Sequence, residues 1–140
     1  MKLIDTLLPS KEDFKTTVVP ASIKIFQKLT GNKEKYEDAS EEKVKRLVSP
    51  LLKCLIKEPK LYNEIVDNYG NLPTPAKNFV KKKFDSILKI VVKNDSVATE
   101  VITQLYEKMR ASSDELLSLE YAELIELFKT YMRNQGKAYL

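Results

Sequence analysis

The chain has 140 residues, 43% of them hydrophobic, and a formal charge of +4. Such a length is enough to bury a real core in one domain, and the composition excludes a disordered polymer. So small a net charge does not by itself imply a polyanionic partner, and a sole cysteine, Cys54, excludes an internal disulfide and suits a reducing compartment.

Taken in order, residues 1–9 carry Leu3, Ile4, Leu7 and Leu8 ahead of Pro9 and read as an apolar N-terminal arm. They are too short and too charged for a secretory signal, and no apolar run is long enough to span a bilayer. The sequence therefore reads as soluble and intracellular. Ser10, with Asp13 three residues on, resembles a capping box and predicts a short first helix. Pro20 suits the first turn of the next, which places Ile23, Phe26 and Leu29 on one face and stops at Gly31.

A charged linker follows over 32–39. Ser40 then caps a strongly periodic helix through Val44, Leu47, Val48, Leu51, Leu52 and Leu55, which Pro50 is expected to kink and Glu58–Pro59 to end. Leu61, Tyr62, Ile65, Val66 and Tyr69 form a further stripe up to Gly70, and GNLPTP is the clearest loop.

Residues 74–93, TPAKNFVKKKFDSILKIVVK, combine an apolar stripe (Ala76, Val80, Phe84, Ile87, Val91) with a lysine stripe on its back. Asn94–Ser96 is a turn and cap before the next helix, which carries Ala98, Val101, Ile102, Leu105, Tyr106 and Met109. Ser112 and Ser113 mark a boundary, and Asp114 and Glu115 sit where a helix dipole favours negative charge. Tyr121, Leu124, Ile125, Phe128, Tyr131 and Met132 line the final helix, closed by Gln135–Gly136. Strand-length alternation and hairpin dipeptides are absent. The expected fold is a single all-α domain over 1–140, a compact bundle of five to seven helices, mostly antiparallel neighbours, one of them proline-kinked.

The chain contains no histidine, which removes the commonest general base and the imidazole metal ligands. One cysteine cannot build a thiolate zinc site, and no glycine-rich phosphate loop occurs. The carboxylate groups Glu41/Glu42, Asp114/Glu115 and Glu120/Glu123/Glu126 are explained by capping and solvated faces. Neither catalysis nor a metal or cofactor is expected, and Cys54 reads as a buried small hydrophobe.

Charge is unevenly spread. Residues 40–93 hold twelve basic and six acidic side chains, and residues 94–128 hold two basic and eight acidic. The leading expectation is a non-catalytic assembly subunit that holds nucleic-acid phosphate without base specificity. Its contacts would be Lys77, Lys81, Lys82, Lys89 and Lys93, extended by Lys43, Arg46 and Lys53. Lysines grouped on an exposed face attract phosphate, and scarce arginine argues against guanine readout. The competing expectation is a protein–protein adaptor whose acidic C-terminal face, around Glu115, Glu120, Glu123 and Glu126, meets a basic partner. Copies of the chain itself are a third kind of partner, and a merely solvated lysine face is the bland alternative.

Residues 121–131, YAELIELFKTY, resemble the aromatic-rich last helix of the small helical subunits of CRISPR effector complexes. The chain is also similar in outline to the helical coat proteins of filamentous archaeal viruses. Both kinds hold nucleic-acid backbone while stacking as repeated copies, and the resemblance implies that role without assigning any residue.

Overall fold

The computed structural model describes residues 19–136. The expected arm at 1–9 and the helix starting at Ser10 lie outside the described residues. Within them the fold is all-α. Eight helices follow one another: α1 (Val19–Gly31), α2 (Lys33–Tyr36), α3 (Glu41–Cys54), α4 (Leu61–Asp67), α5 (Thr74–Lys82), α6 (Phe84–Val91), α7 (Asp95–Ala111) and α8 (Glu115–Asn134), with a 3-10 turn at Tyr69–Asn71.

The count exceeds the expected five to seven for two reasons. The charged linker contains one helical turn, α2, held by burial of Tyr36. The helix expected over 74–93 is two helices, separated at Lys83 with φ −100° and ψ 8°, in the bridge region of backbone space. The break has a packing cause. α5 lies against α3, whereas α6 lies against α8. On a straight helix Phe79 and Leu88, both buried, would lie ~180° apart, so no single face could carry them both inward. The turn at Lys83 lets each bury against its own neighbour.

The helix starts follow the sequence signals closely. Ser40 Oγ accepts from the Lys43 amide at 3.2 Å, Asn94 Oδ1 from the Val97 amide at 2.9 Å, and Asp114 Oδ1 from the Leu116 amide at 2.9 Å. Each satisfies one otherwise orphaned first-turn donor, an interaction typically worth about 1 kcal/mol. Gly136, at φ 77°, takes the left-handed conformation that ends α8. α3 runs through Pro50 and stops at Cys54, short of the expected Glu58–Pro59 end.

The buried side chains form one contiguous cluster. α1, α3 and α5 pack in sequence on one side, and α6, α8 and α7 on the other. α4 joins the two. Its Ile65 reaches among Phe26, Leu51 and Val80, while the Val66 carbonyl accepts from the Tyr121 hydroxyl of α8 and Asp67 meets Lys108 of α7. α7 and α8 make the most extensive helix pair. Ser118 bonds the Met109 carbonyl and Lys129 lies over Tyr106, so the two helices run antiparallel. Fully burying side chains such as Leu124, Phe128 and Leu105 contributes about 1.5–3 kcal/mol each, which fixes α8 in place.

Candidate functional site

The lysines of residues 74–93 do not form one uncompensated stripe. Lys77 Nζ lies 2.9 Å from Glu120 Oε1, Lys81 Nζ 3.1 Å from Glu123 Oε2, and Lys82 Nζ 3.6 Å from Glu41 Oε1. The first two pairs advance together along α5 and α8. Two of these pairs bring the basic middle of the chain against its acidic end, so part of the charge separation read from the sequence is met within the molecule. That corrects the expectation of a free cationic face on α5.

The Lys77–Glu120 pair is the deepest of these. Lys77 is 12% exposed and Glu120 28%, so water screens them little. Glu120 Oε2 is buried without a hydrogen-bond partner among the described residues, which makes the Lys77 ammonium its main compensation. Around them sit buried tyrosines. Burial first, then the charges of Glu120 and Glu123, push the Tyr69 hydroxyl well above its ordinary pKa. Burial, with Asp67 and Glu120 nearby, pushes Tyr121 up to about 12.

The other five candidate residues are separately placed. Lys43, beside Lys35, lies over the Tyr36 ring, 5.6 Å from its centroid. Arg46 and Lys53 on α3, Lys89 on α6 and Lys93 after it are exposed, and none forms an ion pair among the described residues. Lys93 shares a mixed polar groove with Lys60, Tyr62 and Glu100. These groups are not gathered by ion pairs into one patch with α5.

The carboxylates have ordinary structural work. Glu41, Glu120, Glu123 and Glu126 each face a lysine, and Asp114 caps α8. Among the described residues no group of three or more His, Cys, Asp and Glu side chains comes together in a way that could hold a metal ion. Cys54 is buried, with Ser22 Oγ 3.4 Å from its sulfur. No helix of the described residues is long and apolar enough to cross a membrane.

What the sequence reading passed over is the outer face of α8. Leu116 is 70% exposed and Leu119 56%, the most exposed large hydrophobics here besides Ile56. Beside Leu119 runs an open groove of about 770 Å³, with Ala122, Leu127 and Thr130 along α8 and Lys81 and Lys82 along the end of α5. Glu123 and Glu126 edge the α8 side. The signal was available. At 100° per residue Leu119 falls ~180° from Phe128, on the side of the wheel that faces away from the core stripe. No family model, curated protein or solved structure matches the chain, so the likeness seen at residues 121–131 rests on those residues alone.

Proposed function

We propose that the chain is a non-catalytic helical module that works by protein–protein contact through the outer face of α8. The observation that carries this reading is the pair Leu116 and Leu119, standing in solvent on one helix beside an apolar groove. Leu119 and Leu127 lie in the groove, and exposed Leu116 stands three residues before Leu119 on the same helix. Together they put more apolar surface in solvent than a singly exposed leucine does, and such surface marks interaction sites on small proteins. It differs from the adaptor expected at the outset. Glu120 and Glu123 are engaged by Lys77 and Lys81, so the contact is apolar at its centre, with charge only at the rim.

The test is the size of the protein in the extract of cells that produce it. Wild type should migrate well above the 16.1 kDa of one chain, and treatment with nuclease should leave that unchanged. A Leu116→Ser, Leu119→Ser variant should migrate as the single chain. Wild type migrating alone, or a large species that nuclease dissolves, would defeat the reading.

A second reading keeps the nucleic-acid role and moves it. Arg46, Lys53, Lys89 and Lys93 are the expected phosphate contacts that stay exposed and outside both ion pairs and the Tyr36 ring contact of Lys43, which favours them over Lys77, Lys81 and Lys82. Replacing those four by Glu should abolish oligonucleotide binding and flatten its salt dependence, since each phosphate contact contributes a slope of about 0.9 in log–log terms on duplex DNA.

A further inference from the structure

The groove beside α8 is asymmetric in a specific way. One wall, the end of α5, carries Lys81 and Lys82, and the opposite wall on α8 carries Glu123 and Glu126. Lys81 and Glu123 already pair with each other at 3.1 Å, so the charges left to face a partner are Lys82 and Glu126. Leu119 stands among them. Lys82 and Glu126, each 68% exposed, are held only loosely by partners at 3.6 and 3.8 Å. A surface with one wall of each sign is complementary to itself. A two-fold rotation about an axis running along the groove lays Lys82 of one molecule against Glu126 of the other, twice, and covers both copies of Leu119.

We infer that the partner of this face is a second copy of the chain, joined isologously along α8 and the end of α5. The inference rests on the proposed protein-contact role of α8 and names its partner. Pairing removes Leu116 and Leu119 from water, which supplies the attraction, and the two charged walls set the orientation.

The test is sedimentation equilibrium over a wide concentration range. Wild type should show an average mass rising from 16.1 kDa towards twice that value. Leu119→Asp should weaken self-association at least about tenfold. Lys82→Glu and Glu126→Lys, each alone, should weaken it similarly by placing like charges across the axis. An equimolar mixture of these two variants should recover it, because every acidic wall then meets a basic one. Thermal unfolding of each variant controls for the fold. A wild type that stays at one chain throughout, a Leu119→Asp variant that associates as well as wild type, or a mixture that fails to recover would each overturn the two-fold pairing. Those results leave the wider reading to a separate readout, whether a photo-crosslinker at position 119 captures a different polypeptide.

Discussion

Lys77 Nζ sits 2.9 Å from Glu120 Oε1 across the α5–α8 boundary, and this contact decides which charges remain for function. Breaking it by Lys77→Met leaves a half-buried carboxylate whose other oxygen is already unpartnered. The expected loss is about 1–3 kcal/mol, between the values for exposed and for buried pairs. Glu120→Gln should cost less, and Lys77→Met with Glu120→Met less than the sum of the single changes. Urea unfolding of the four proteins measures the coupling.

Two tyrosines near α4 should respond oppositely to loss of the hydroxyl. Tyr62 is buried with its hydroxyl unpaired among the described residues, whereas Tyr121 donates to the Val66 carbonyl. Tyr62→Phe removes an unmet polar group and should be neutral or stabilise by up to about 1 kcal/mol. Tyr121→Phe should cost about 1–2 kcal/mol and loosen the link between α4 and α8. Chemical denaturation reads both.

Alkali should unfold the protein. Burial is the largest cause raising Tyr62, Tyr69 and Tyr121 above the ordinary tyrosine value of 10.0. A group whose folded pKa is raised contributes stability that is complete below its unfolded pKa and is lost as pH climbs towards the folded one. Stability should therefore hold steady to about pH 10 and fall beyond it. In an ultraviolet titration these three should ionise late and together with unfolding, Tyr121 near 12. Ionisation of Tyr62, Tyr69 and Tyr121 near pH 10 with the fold intact would contradict this.

Leu119 and Leu124 lie on opposite sides of α8 and should separate fold from contact. Leu119→Ala, at a half-exposed position, should change stability by no more than about 0.5 kcal/mol. Leu124→Ala, at a fully buried one, should cost about 2–5 kcal/mol. Thermal or urea unfolding tells them apart.

Much of this fold was legible because local rules decided it. Ser40, Asn94 and Asp114 cap where their side chains predict, and the final stripe from Tyr121 to Met132 is buried as its period requires. The break at Lys83 was not legible. The stripe Ala76, Val80, Phe84, Ile87 and Val91 satisfies a single helical wheel, and the need to serve α3 and α8 separately, with Phe79 and Leu88 buried ~180° apart, divides it. The site was misread for a related reason. A wheel places Lys81 opposite a core stripe and Lys77 between the two, which implies solvent only when nothing else lies there. Glu120 and Glu123, more than forty positions away, lie there. Sequence charge totals had held the clue, since a basic stretch and an acidic one of equal excess can meet within a molecule as readily as between molecules.

The most direct measurement places a photo-activatable crosslinker at position 119 on α8 and, separately, at position 53 on α3, in cells that produce the protein. Protein contact through the outer face of α8 predicts a polypeptide adduct from position 119 that survives nuclease, and no nucleic-acid adduct from position 53. Nucleic acid captured at position 53, with nothing captured at position 119, would contradict it.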